Sequence, residues 1–204
     1  MKILRIVVAG SVGAGKSSFV RTASDTDFIE TERLATDSTS LLKPQTTVAF
    51  DFNRLVLSPE IELHIYGTPG QSRFDFMWDV LIKRADAYIL LVAAHRPDDF
   101  PLAYDILSYM NQRVQIPMIV GLTHTDCPNA REVDEIIREL GYLDEEKSPI
   151  VVTVNPTNII SVIESLLMLK SLILQEDDFC LDQSYHSVVR PSSVSDQTPH
   201  FILR

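Results

Sequence analysis

The chain has 204 residues, enough for one domain with a tail and long enough to bury a full hydrophobic core. Hydrophobic residues make up 45% of it and charged residues 23%, the balance of a soluble globular protein. The net charge of −10 argues against duplex nucleic acid and anionic lipid as partners, because both are polyanions.

In chain order, residues 3–9 are a short β-branched run that predicts a buried strand. The basic-then-apolar start M-K-I-L-R-I-V-V-A-G is too short for a signal peptide and leads into a glycine loop rather than a cleavage site. A helix, K-S-S-F-V-R-T, opens after Gly15. Residues 25–45 are rich in Thr, Ser and Asp and predict a long loop, a length that is often functional. Residues 47–57 predict a strand with Val48, Phe50 and Phe52 on one face; a Ser58-Pro59 turn leads to a second, alternating strand through Ile61, Leu63 and Ile65, so the two suggest a hairpin. The loop Gly67-Thr68-Pro69-Gly70 follows, then a short helix through Trp78 to Lys83.

Residues 87–93 are continuously apolar, as a strand covered on both faces must be. A helix is expected over 98–112, a buried strand over 117–122, and a helix through Val133, Ile136, Ile137 and Leu140 that Gly141 can cap. Residues 150–154 predict the last strand and 158–175 the last helix. The order β-α-β-β-α-β-α-β-α-β-α predicts an α/β fold: a doubly wound sheet, mostly parallel, with one antiparallel edge strand. Residues 176–204 hold five acids, two arginines, five serines and two prolines, and read as a disordered, acidic, Ser-rich tail beside a domain over 1–175; the other reading is a partner-binding or phosphorylated segment. Cys127 and Cys180 stand in no metal-ligand spacing and read as thiols of a reducing, cytoplasmic compartment. No run approaches the ~18 apolar residues of a membrane span, and neither terminus carries a lipidation signal, so no direct membrane anchor is expected.

Four constellations carry chemistry. Gly10-Ser11-Val12-Gly13-Ala14-Gly15-Lys16-Ser17 matches G-x-x-x-x-G-K-[ST], a pattern expected by chance in about 1% of chains this size at ordinary residue frequencies. It follows a strand and opens a helix, the context a P-loop requires. Glycines there let backbone N–H groups turn inward on a β-phosphate, and a helix N-terminus adds its positive end. Lys16 reaches β- and γ-phosphates as a point charge, and Ser17 offers a hydroxyl to Mg²⁺. Candidate phosphate contacts are thus Gly10, Val12, Gly13, Ala14, Gly15, Lys16, Ser17 and Ser18. In Gly67-Thr68-Pro69-Gly70-Gln71, the Gly70 N–H can meet a γ-phosphate and Gln71 can orient attacking water, a catalytic role shared with Lys16. In Thr46-Thr47 one threonine, taken as Thr46, can close over Mg²⁺. In Thr123-His124-Thr125-Asp126, directly after a strand, Asp126 can accept from guanine N1–H and N2–H; the competing reading makes Asp126 the cap of a helix near Ala130.

Together these elements resemble the Ras-like small GTPases over residues 1 to about 175. T-T-V-A-F-D-F and Y-G-T-P-G-Q-S-R-F look like bacterial members, the MglA-like polarity GTPases and related small GTPases of signalling operons. The resemblance implies a GTP/GDP switch with bound Mg²⁺, slow hydrolysis, and a regulatory partner of roadblock/LC7 type. Three departures stand out. Gly67 occupies the place of the D-x-x-G aspartate, with Asp51 on the neighbouring strand as a substitute. T-H-T-D replaces N-K-x-D, so Thr123 stands for an amide that ties loops together and His124 for a lysine whose stem packs on the base. The S-A-K-type loop is unrecognisable and should lie near T-V-N-P at 153–156. Arg54, Arg73 and Arg96 are candidate internal arginine fingers. The alternative functions are a P-loop ATPase or kinase-like enzyme, and a nucleotide-bound scaffold that does not hydrolyse.

Overall fold

The computed structural model describes residues 1–23, 50–69, 75–143 and 148–188. Its elements are β1 (Lys2–Gly10), α1 (Lys16–Thr22), β2 (Asp51–Ser58), β3 (Ile61–Gly67), α2 (Asp75–Ile82), β4 (Ala87–Ala93), a 3-10 turn (Pro97–Asp99), α3 (Phe100–Asn111), β5 (Met118–Thr123), α4 (Val133–Glu139), β6 (Ile150–Thr153) and α5 (Ile159–Val188). This is the order expected from the sequence.

The six strands form one sheet in the order β2-β3-β1-β4-β5-β6. All neighbours pair in parallel except β2 and β3, so the single antiparallel strand lies at an edge. β4 is buried at every position, which its run A-Y-I-L-L-V-A requires of a central strand. Alternation along β1 divides the core in two. Leu4, Ile6 and Val8 face α1 and α5, where Phe19, Val20, Val162, Leu166 and Leu169 pack. Val7 and Ala9 face the opposite layer of Trp78, Ile82, Phe100, Ala103, Ile106 and Ile136. Burial of this kind, at roughly 25 cal/mol per Å² of apolar surface, is what holds the layers together.

The parallel strands β1, β3, β4, β5 and β6 end on one edge of the sheet, at Gly10, Gly67, Ala93, Thr123 and Thr153. Around β1 the strand order reverses, and in open α/β sheets ligands bind at that crevice.

One expectation changes. α5 runs to Val188 instead of ending at Gln175. The acidic and serine-bearing residues past Gln175 tolerate a helix, and no glycine or proline interrupts them before Pro191. The chain divides into two compact units, Met1–Ile173 and Leu174–Arg204; the described part of the second is helical. Among the described residues no helix is long and apolar enough to cross a membrane. The expected loop at 25–45, the strand start at 47–49 and residues 189–204 lie outside the described residues.

Candidate nucleotide site

The loop between β1 and α1 is built on three glycines with positive φ: Gly10 at 145°, Gly13 at 81° and Gly15 at 98°. Gly15 is the N-cap of α1 in the left-handed region, where a side chain is strained. It also has no room for one, since an added Cβ would stand 2.6 Å from Pro156 Cγ. Lys16 is buried, and its Nζ donates to the Ser11 carbonyl at 2.7 Å, so the loop closes around its own ammonium group. Burial lowers the Lys16 pKa to about 8, with Asp51 partly opposing the shift. Ser17 is exposed and Ser18 half-buried at the mouth.

Beside this loop is a cavity of about 700 Å³, within the range of small-molecule sites. Gly13, Gly15, Lys16, Ser17 and Ser18 line one side, His124, Thr125 and Asp126 another, and residues 153–157 a third. Three separate sequence segments thus converge on one space. The 153–157 segment lies where the unrecognisable third loop was expected, and Pro156 packs directly on Gly15.

Asp126 is exposed and lines the cavity. The helix beyond it begins at Val133 with Glu132 at its N-cap, so Asp126 does not cap it. Thr123 is fully buried at the end of β5, and its hydroxyl donates to the Ala14 carbonyl at 3.0 Å. The loop-tying task of the missing amide is therefore done by a hydroxyl. His124 follows in the left-handed region at φ 56°, with Nδ1 3.0 Å from Thr123 Oγ1. Since that hydroxyl spends its proton on Ala14, Nδ1 must be the protonated nitrogen, leaving Nε2 as an acceptor in the neutral ring. The His124 ring rests 4.6 Å from that of His95. Burial first, then His95, pushes the His124 pKa down; Asp126 opposes this and Arg96 adds to it.

β2 and β3 bring two further residues together near Lys16. Asp51 pairs with Gly67 across the antiparallel ladder, so the two residues share a face. A Cβ added at Gly67 would stand 3.1 Å from Asp51 Cβ and 3.3 Å from Asp51 Oδ2. The Asp51 carboxylate thus fills the space that a side chain at position 67 would use, and it acts electrostatically on Lys16. A hydroxyl at Ser17 and a carboxylate at Asp51 are hard oxygen donors of the kind Mg²⁺ takes beside nucleotide phosphates. Next along the chain, the Thr68 N–H donates to the Val8 carbonyl at 2.9 Å. The Thr68 hydroxyl is buried without a hydrogen-bond partner among the described residues. The Pro69 carbonyl accepts from Trp78 Nε1 at 2.9 Å. Thr46, Thr47, Gly70, Gln71 and Arg73 lie outside the described residues.

Of the other arginines, Arg54 points to Glu62 on the hairpin, 3.9 Å away. Arg96 instead reaches the P-loop, donating to the Val12 carbonyl at 2.8 Å. Sequence reasoning missed Asp99, which accepts from Ser11 Oγ at 3.2 Å, and His95. The only signal for either was their place just after a buried strand, where α/β sheets keep their sites.

The sequence pattern of a family described as conserved hypothetical ATP binding protein matches residues 23–178. The chain belongs to this family. The match covers β2 and β3, the Asp126 loop and the 153–157 loop, and it begins just beyond the phosphate loop. No curated protein matches. Among solved structures, the Arl6 BBS3 small GTPase from Trypanosoma brucei, with bound nucleotide analogue GppNp, matches with a TM-score of 0.64. It is 13% identical, and the match covers 85% of this chain and 99% of that one. The chain therefore has the small-GTPase form of the P-loop nucleotide-binding fold.

Proposed function

We propose that the chain is a guanine-nucleotide switch that hydrolyses GTP to GDP and phosphate. The observation that supports it best is the single cavity shared by the phosphate loop and Asp126. Guanine offers N1–H and N2–H to a carboxylate at that position. Adenine offers neither, and an unpaired polar group in a base pocket rejects the wrong ligand strongly.

In this reading Gly13, Gly15 and their neighbours turn N–H groups onto the β-phosphate, and Lys16 holds the β- and γ-oxygens. The Gly70 N–H meets the γ-phosphate, and Gln71 orients the attacking water. Ser17 and Thr46 hold Mg²⁺, and Asp51 takes over from the absent aspartate at position 67. Mg²⁺ bound there supplies charge neutralisation on the phosphate oxygens. His124 and Pro156 bound the base pocket, and Thr123 fixes the pocket to the phosphate loop through Ala14.

The bacterial, MglA-like character suggested by T-T-V-A-F-D-F and the Gly67 loop belongs to the same proposal. So do a cytoplasmic setting, slow hydrolysis stimulated by a roadblock/LC7-type partner, and a switch domain over 1–175 with an acidic extension beyond it. The family's description as ATP-binding favours a second reading, an adenine nucleotide in the same cavity.

Converting Asp126 to Asn separates the two. A carboxamide presents a donor where the carboxylate accepted, so guanine loses and xanthine gains. We expect preference to move from GDP toward XDP in competition binding. An unchanged order of preference would mean that the base is read elsewhere.

A further inference from the structure

We propose that Arg96 is a second resident cation of the phosphate site, held at the rim of the P-loop by Asp99 and used on the nucleotide's polyphosphate. This rests on Gly10 to Ser17 binding a nucleotide, and it adds a residue that the Walker pattern does not contain.

Arg96 lies in the turn after β4, and its guanidinium is held at two points, one on the P-loop and one within its own turn. One guanidinium nitrogen donates to the Val12 carbonyl at 2.8 Å. The other lies 3.0 Å from Asp99 Oδ2. That same Asp99 oxygen accepts from Ser11 Oγ at 3.2 Å. Asp99 thereby holds the loop and the arginine together. A surface arginine that merely solvates the protein makes no such set of bonds, and Arg54, on its hairpin, illustrates the difference.

Position 13, whose φ of 81° by itself favours glycine, also lies against the guanidinium. The pattern G-x-x-x-x-G-K-[ST] leaves that position open to any side chain. Here it is glycine, and an added Cβ would stand 2.6 Å from the nearer guanidinium nitrogen of Arg96. The guanidinium therefore lies against bare loop backbone, in the space a side chain at position 13 would fill. Gly13 also lines the nucleotide cavity.

A guanidinium carries five N–H donors, and two bonds leave the rest free for phosphate oxygens. The Arg96 side chain is 42% exposed, so it can turn toward a ligand. The charge balance gives the cation a task. The chain carries −10 overall, and Asp51 adds a negative charge close to Lys16. Arginine is always charged.

The test is fluorescence titration with mant-GDP and mant-GppNHp on wild-type protein and on Arg96→Ala, Arg96→Lys and Asp99→Ala, each at two salt concentrations. Arg96→Ala should weaken mant-GppNHp about tenfold, some 1.4 kcal/mol, weaken mant-GDP less, and flatten the salt dependence. Arg96→Lys keeps the charge without the planar fork and should recover part of the loss. Asp99→Ala removes a negative charge but also releases the guanidinium and the loop, so the two effects oppose and mant-GppNHp binding should change by no more than about threefold. If Asp99→Ala instead weakens binding as much as Arg96→Ala does, the pair is a brace for the loop and the proposal fails. It fails too if Arg96→Ala binds like wild type. Wild-type protein that binds neither nucleotide would overturn the nucleotide reading itself, and this proposal with it. Should Arg96→Ala not fold by circular dichroism, Arg96→Gln takes its place with the same expectations.

Discussion

Burying an ammonium group costs solvation, and Lys16 bears that cost in the P-loop, where among the described residues the Ser11 carbonyl and a nearby Asp51 offset it. The sign of the consequence is fixed. With a pKa of about 8, Lys16 is charged in the empty protein below that pH and neutral above it. Nucleotide phosphates favour the charged form, so above pH 8 binding must take up a proton. Affinity for GDP should be flat from about pH 6.5 to 7.5 and then fall, by up to about tenfold per pH unit, until the pKa of the liganded lysine is reached. Titration calorimetry across pH 7 to 10 in buffers of different ionisation enthalpy measures both the affinity and the proton uptake. Affinity that rises with pH would contradict this role for Lys16. Asp51 gives the companion prediction. If its carboxylate stands in for the missing aspartate, Asp51→Asn should remove most of the slowing of mant-GDP release by Mg²⁺, leaving release in EDTA little changed. A full Mg²⁺ effect in Asp51→Asn would return the question to Ser17 and the switch threonine alone. At this scale the sequence marked the short segments that converge: Gly10 to Ser17 and the Asp126 loop line one cavity. Asp51 against Gly67, and Thr123 on Ala14, depend on partners distant in sequence, and strand register had to supply them. Where T-H-T-D lacks the amide, the buried Thr123 hydroxyl reaches the Ala14 carbonyl of the P-loop.

Elements position these side chains by register. The β2–β3 ladder sets Asp51 opposite Gly67 at the end of β3, and one parallel step away Val8 receives the Thr68 N–H. From there the chain passes Pro69 toward the Gln71 segment, and Trp78 of α2 holds the Pro69 carbonyl. Trp78 also sits edge-on to Tyr109 of α3, with ring centroids 5.4 Å apart. It is the chain's single tryptophan. If the loop after Pro69 reorders on a γ-phosphate, the Trp78 hydrogen bond and its packing must change with it. Intrinsic fluorescence should therefore differ between the GDP and GppNHp states, with free protein as the reference. Identical spectra, with both nucleotides shown to be bound, would mean that the sensor loop is uncoupled from α2. Element order was readable because apolar runs, glycines and prolines punctuate the chain. The end of α5 was not, because its acidic and serine-bearing extension carries no breaker until Pro191 and polarity was read as irregular chain.

At the scale of the molecule, the reversal of strand order around β1 brings the ends of β1, β3, β4 and β5 to one crevice. A chain of net charge −10 can hold a polyanion there because the favourable field is local: inward N–H groups, Lys16, and Arg96 at the rim. The fold belongs equally to proteins that read adenine and to proteins that read guanine, and it cannot choose between them. In the proposed function the choice falls to Asp126, which lines the cavity. Competition of unlabelled nucleotides against bound mant-GDP puts that question to the whole protein. GTP and GDP should displace the label at similar concentrations, and ATP should fail to do so at about a hundredfold excess over GTP. Displacement by ATP as readily as by GTP would contradict the guanine assignment and make this a reader of adenine.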